Sequence, residues 1–401
     1  MRIVDLIRKI VCGKKAEIPE STVCETVESA EPVCAESPTL EKPSYAFSQE
    51  LLAVTCIGYS HIKDGTVCQD SSLNCQTRNY RLIVVSDGHG SASFPRSDRG
   101  SRLACLATRE ACASFAEKEI PQNREQAAKE LCEEILDRWT KAVYEDHAAD
   151  PFDEASLEKV PEKYREHYRT GSRIEHAYGA TLIAVLETAA GVLAIRCGDG
   201  ECVKIDASGA ISRPVPWNEK CDVNVTTSLC DQNAIEEFRW VWMDDTPAAI
   251  WISTDGLDNS YPVPEELDEF YANLSLAALD ADCDLVRQEL EKFLPVLTQR
   301  CSQDDISVAA MMNKTPLIFA QDRLRASVEL RRALREKEGI QRRIKKLDQA
   351  LRNKKRKDQD GKTSWEDTEQ MQQTRELVAQ LEALEDKILR LQIAAGVFVQ
   401  K

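Results

Sequence analysis

The chain has 401 residues, 42% of them apolar, and a formal net charge of −16. That is length enough for two or three domains, and the acidic balance argues against a general nucleic-acid binder while suiting a protein that holds cations. Fifteen cysteines without one CxxC pair argue against a zinc knuckle or a disulfide framework, so a reducing cytoplasm is the simpler setting, and no run of ~18 apolar residues predicts a transmembrane helix.

Residues 1–12 place Ile3, Leu6, Ile7 and Ile10 on one helical face. Asp5, Arg8 and Lys9 interrupt the apolar run, which separates it from a signal peptide. It predicts a short amphipathic segment for the protein's own surface, a partner or a membrane. Residues 13–46 are rich in Glu, Pro, Ser and Thr without a period, the composition of a disordered acidic linker. Short β-rich runs follow at 51–57, 81–86, 180–186, 192–197, 201–206, 248–253 and 305–312. Helical patterns lie between them, from near Ser97, over 124–146, over about 264–276 and over 279–298. Strands and helices fall in runs rather than strict alternation, which predicts an α+β fold with antiparallel sheet. Residues 148–178 read as a polar insertion, with His167 and His176 at the surface and a flap over a site as one option.

Beyond residue 318 the period becomes heptad. Ile340, Ile344, Leu347 and Leu351 step by four, three and four, and Leu377, Leu381, Leu384, Ile388 and Leu391 repeat the pattern. Gly361 predicts a break, with Thr363 and Glu366 as a capping box for the second helix. The first helix is basic and the second mostly acidic, which favours an antiparallel coiled-coil hairpin over 318–401. Such a hairpin could self-associate, take a partner or pack on the rest of the chain.

Carboxylates gather at strand ends. Asp87 follows the run Arg81–Val85 in "VVSDGHGS", Asp255 follows "AAIWIS", Asp70 lies in "CQDSS", and Asp304 and Asp305 precede an apolar strand. Each alone is a common turn feature. As a set at strand termini they would repel one another unless a cation compensates, and hard oxygen donors without clustered His or Cys indicate Mg²⁺ or Mn²⁺.

The ordered series "SDGHG", "GATLIAV", "CGDGECV", "STDGLDNS" and "DDISV" resembles the type 2C, metal-dependent protein serine/threonine phosphatases. "SHIKDGTVCQD" and "SDRGSRLA" are similar to its bacterial branch. The resemblance spans about residues 47–315. It implies an α/β/β/α four-layer sandwich of two antiparallel sheets flanked by helices, with the site at one end. It further implies that Asp87 bridges two metals, that the Gly88 carbonyl binds one, and that Asp255 and Asp304 hold the other. Asp70 and Gln69 would act around the first metal through waters, and Asp199 would serve a third. His89 would be the general acid, and the substrate a phosphorylated protein attacked by water without a phosphoenzyme.

The chain departs from the pattern at several places. Gln69 stands where a Glu is usual, and Asn259 where some members have a carboxylate. The phosphate-gripping Arg has no clear counterpart. His61 and Lys63 are the substrate-binding candidates, with Arg81, Arg96 and Arg99 as others; Arg99 could instead pair with Asp98. The alternative function is a catalytically weak, phosphatase-like module that binds phosphoproteins or scaffolds partners. A hydrolase of small phosphorylated molecules would use the same attack geometry.

Overall fold

The computed structural model describes residues 49–118, 123–221, 225–357 and 365–397. Two five-stranded antiparallel sheets form its centre. The first runs β1 (Gln49–Cys56), β10 (Ile306–Asn313), β9 (Ala249–Ser253), β6 (Glu201–Ile205), β7 (Ile211–Ser212). The second runs β2 (Ser71–Gln76), β3 (Tyr80–Ser86), β4 (Leu182–Thr188), β5 (Gly191–Cys197), β8 (Arg239–Met243).

Strand β3 shows why the sheets stack. All of its residues are buried. Ile83 and Val85 pack against Ile250, Ile252, Ala309 and Met311 of the other sheet, while Leu82 and Val84 face helices. A strand buried on both faces reads as a continuous apolar run because its two-residue alternation serves two cores. Helices α2 (Ser97–Ala116) and α3 (Arg124–Ala149) cover the second sheet through Ala104, Cys112, Leu131 and Trp139. Helices α8 (Pro264–Asp280) and α9 (Cys283–Arg300) cover the first through Phe270, Tyr271, Leu290 and Leu294. The order of layers is therefore helix, sheet, sheet, helix, as the resemblance implied.

Two strands of the second sheet have no counterpart in the sequence reading. Both β2, with the sequence SSLNCQ, and β8, with RWVWM, lie at the sheet's edges. An edge strand pairs on one side only and keeps polar or amphipathic residues, so its apolar signal is weak. The stretch 148–178 is also more than a polar surface insertion. It forms α4 (Glu154–Glu158), α5 (Glu162–Thr170) and a 3₁₀ turn over Ile174–Tyr178. Leu157, Val160, Tyr168, Ile174, Ala177 and Tyr178 join the core under α2 and α3.

Strand β10 runs directly into α10 (Lys314–Lys357). The first turns of α10 bury Leu317, Ala320 and Leu324 against the first sheet's helices. Farther along, Ala326, Leu330, Ala333 and Ile340 pack with Leu377, Leu384 and Ile388 of α11 (Trp365–Ala394). The pairing is antiparallel, with Lys337 Nζ 2.7 Å from Glu385 and Arg323 Nε donating to the Ala395 carbonyl. The break expected at Gly361 and the Thr363 cap lie outside the described residues, as do segments 1–12 and 13–46.

Gly100 shows how closely α2 packs against the 3₁₀ turn. A Cβ there would lie 1.8 Å from the Tyr178 carbonyl oxygen, and Trp139 donates its indole N–H to the Gly100 carbonyl at 3.0 Å. Gly100→Ala is expected to lower stability by at least the ~1–3 kcal/mol typical of overpacking. Urea unfolding measures this, and an unchanged midpoint would contradict the contact.

Candidate active site at one end of the sandwich

The register of the sheets decides where the carboxylates go. Ser71 pairs with Ser86, Leu182 with Cys197, Cys56 with Ile306, and both Val308 and Glu201 with Ser253. The residues just outside these pairs are therefore at one end of both sheets. Asp70 precedes β2, Asp87 follows β3, Asp199 follows β5, Asp255 follows β9 and Asp304 precedes β10. Five segments far apart in sequence converge.

Backbone and side-chain bonds hold this end in shape. The Asp87 N–H donates to Thr181 Oγ1 (3.0 Å) and the Thr181 N–H to the Asp87 carbonyl (2.8 Å). Gly88 donates to the Gln69 carbonyl at 3.1 Å and forms a bridge with Ala180. A Cβ on Gly88 would come within 2.6 Å of both the Gln69 and Ser97 carbonyl oxygens, so close packing alone requires glycine there. Thr254 donates to Asp70 at 2.7 Å and accepts from the Ser307 N–H. Asn259 donates its amide to Asp255 at 3.0 Å.

The Asp304–Asp305 pair divides its labour. Asp305 is buried and accepts from the Gly58 N–H, the Gln69 N–H and His61 Nδ1 at 2.5, 2.6 and 2.9 Å. It is a clamp on the loops of the site. Asp304 stands at the rim, open to solvent, and its carboxyl accepts from the Asp305 N–H. Neither the role of Asp305 nor those of Thr181 and Thr254 has a signal in the sequence beyond adjacency to the motifs.

Burial raises the Asp70 and Asp87 carboxyls well above the usual range, and the next influences are other carboxylates: Asp305 on Asp70, and Asp70, Asp255, Asp304 and Asp199 on Asp87. Asp255 is pushed up to about 6 by burial and then by Asp199 and Asp304. Asp199 is raised as well, chiefly by burial, and Asp304, exposed at the rim, is raised by partial desolvation on its protein side and by Asp305. Carboxylates that disfavour one another's charge are the donor set a hard divalent cation fits. Among the described residues no group of three or more Asp, Glu, His or Cys side chains already stands placed to hold an ion.

His89 lies beside this cluster. Its N–H donates to the Gly179 carbonyl, and its ring sits 4.7 Å from that of Phe94. Burial, with His176 next, pushes the imidazole down to about 4. Other expectations need correction. Arg81 is buried between the sheets, paired with Glu187 and donating to Asn313. Arg96 donates to the Tyr178 hydroxyl and lies 3.9 Å from the Phe152 ring centroid. Arg99 bonds Asp146 and Asp150 at 3.1 and 2.7 Å, not Asp98. All three tie the fold together. His61 is placed at the site but commits Nδ1 to Asp305, and Lys63 stands exposed with its ammonium 5.8 Å from the Tyr59 ring centroid. His176 is half-buried in an aromatic stack rather than at the surface.

A family model for Protein phosphatase 2C matches residues 57–295. The chain belongs to the protein phosphatase 2C family. The expectation of a protein phosphatase holds. No curated protein matches the chain. Among solved structures it is similar to PppA of Pseudomonas aeruginosa, at 15% identity and a TM-score of 0.43 over 66% of this chain and 97% of that one. A serine/threonine phosphatase of S. agalactiae is 15% identical over 66% and 99%, with a TM-score of 0.41. The Mycobacterium tuberculosis phosphatase PstP/Ppp is 12% identical over 66% and 98%, with a TM-score of 0.38.

The raised carboxyls of this phosphatase make its stability depend on pH. In the window from the ordinary aspartate value up to about 6, the folded state binds more protons than the unfolded state, so stability falls as pH rises. In EDTA the melting temperature is expected to be higher at pH 5 than at pH 7.5. Mn²⁺ is expected to raise it at pH 7.5 and much less at pH 5. The D87N/D255N double variant should lose most of both effects; equal pH dependence in the variant would show that the charge cluster is not the cause.

Proposed function

We propose that this chain is a metal-dependent phosphatase that hydrolyses phosphoserine and phosphothreonine in proteins. The observation that carries the reading is the convergence of Asp70, Asp87, Asp199, Asp255 and Asp304 at one end of the sandwich beside His89. Asp87, the Gly88 carbonyl, Asp255 and Asp304 would hold two Mn²⁺ or Mg²⁺ ions, with Asp70 and Gln69 around the first and Asp199 toward a third. Bound there, the ions supply Lewis acidity and a water activated for in-line attack on phosphorus.

The chain's own groups do the rest. Thr181 and Thr254 orient Asp87 and Asp70 through the bonds already described. Asp305 keeps the loops carrying Gly58, His61 and Gln69 against the carboxylates. His89, neutral in its buried setting, takes up a proton from solvent as the phosphate's negative charge arrives next to it and hands that proton to the departing alkoxide, while the attacking water gives up its own proton to solvent. No side chain needs to act as nucleophile, and the cysteines among the described residues are mostly buried. Buried, unbridged cysteines such as Cys105, Cys112 and Cys132 support a cytoplasmic setting; no helix among the described residues is long and apolar enough to cross a membrane. The hairpin of α10 and α11 leaves Leu389 and Ile393 exposed, a surface on which a partner or a second copy could pack. The scaffold reading is disfavoured because Asp87, His89, Asp255 and Asp304 are all retained.

Purified protein is expected to hydrolyse a phosphothreonine peptide with Mn²⁺ and not with EDTA. Asp87→Asn should abolish turnover, and His89→Ala should lower kcat by ~10²–10⁴-fold. Absence of turnover with every divalent metal, in protein shown by calorimetry to bind metal, would favour the scaffold.

A further inference from the structure

Helix α5 and the 3₁₀ turn enclose a small cavity of about 60 Å³ lined by Lys163, Tyr164, His167, Tyr168, Arg173 and His176. It is joined to the proposed general acid by a ladder of rings. His89 meets Phe94 at 4.7 Å, Phe94 stacks on His176 at 4.7 Å, and His176 stacks on Tyr164 at 4.3 Å. Lys163 Nζ lies 4.5 Å above the Tyr164 ring. Tyr168 fastens the helix to the loop after "DGHG", its hydroxyl donating to the Ser93 carbonyl and lying 2.6 Å from His176 Nδ1.

The basic residues of this element fall into two groups. Arg165 is spent on the Val160 and Glu158 carbonyls, and Arg169 on Glu154 and Glu166. Lys163 and Arg173 have no ion-pair partner among the described residues, and both line the cavity. Arg173 holds a left-handed φ of 53° that a non-glycine residue adopts at a cost. Glu175, two residues after Arg173, accepts from the Tyr144 hydroxyl at 3.0 Å. Burial and then Arg173 and Lys163 push the His176 imidazole below its ordinary value, so the positive charge here lies on the lysine and arginine. Two cations without an ion-pair partner among the described residues, one of them over an aromatic ring, line one cavity in a chain of net charge −16.

We propose that this cavity is a second anion subsite of the phosphatase, which takes an acidic or phosphorylated side chain on the substrate polypeptide. The proposal rests on the phosphatase reading above. The ladder sets the Lys163 ammonium no more than about 18 Å from the His89 ring, a reach of up to about five residues of extended peptide. The subsite would select phosphoproteins that carry a second negative charge at that distance.

The test uses the full chain with Mn²⁺ and phosphothreonine peptides in sets of three, with the varied position three, four or five residues away and carrying alanine, glutamate, or a hydrolysis-resistant phosphonate analogue of phosphoserine. p-Nitrophenyl phosphate, which has no extension, is the control. Wild type is expected to show a KM about 10-fold lower for the charged peptides. The variant K163A/R173G should lose that preference while kcat and the control substrate are unchanged, and glycine suits the φ at 173. The glutamate and phosphonate arms tell which anion is preferred. No preference in wild type, or a preference that survives in the variant, overturns the subsite. Anisotropy binding of the labelled phosphonate peptide to Asp87→Asn protein, with and without the two substitutions, separates the readings. Weaker binding on substitution with no turnover of any substrate by wild type would sustain the subsite and defeat the phosphatase.

Discussion

The structure turns on a repulsion. Aspartates that end or precede five strands are brought to one place, where burial and mutual proximity raise their carboxyls. Protein interiors rarely tolerate unpaired charges of one sign. The fold imposes the crowding because paired strands share an end, and the crowding is what makes the place receptive to divalent cations. Stability given up at this end is recovered when an ion binds.

Holding such groups in place takes a frame, and small or polar residues supply it. Gly256 has the Asp305 carbonyl oxygen 1.9 Å from where its Cβ would be, and Gly200 has the Ser253 carbonyl at 2.4 Å. These glycines let neighbouring strands' loops touch at backbone distance. Asp305 and Thr254 each bind two or more groups of different segments. A rigid frame of this kind fixes the carboxylates' directions better than flexible loops would.

The C-terminal helices connect to the same end through charges. Arg213 bonds Glu201, which begins β6 just after Asp199, and reaches Asp268 on α8 at 3.0 Å. Arg331 of α10 meets the same Asp268 at 3.4 Å, and Arg332 and Arg335 bond the buried Glu269 at 3.4 and 2.6 Å. Glu269 has lost its water and depends on those two arginines, so α10 is tied to α8 along one face rather than attached only at its root.

Much of this was legible in the chain. Apolar runs that stop at Asp-Gly mark strand ends, because a strand buried on both faces must be apolar until it emerges and a glycine must follow where backbones crowd. The heptads of 340–351 and 377–391 mark the helices that pack together, because helical period follows from local geometry. The sequence by itself therefore determined most of the elements, the layered class and the family, and it set aspartates at the strand ends. Tertiary structure alone decided the partners. Arg99 belongs to Asp146 and Asp150, Arg81 to Glu187 and Asn313, and Asp305 to three donors from 58–69. It also decided the edge strands β2 and β8, and the stack that joins His176 to His89. Side-chain pairing depends on which distant segments the fold brings within a few ångströms, and no local pattern encodes that distance.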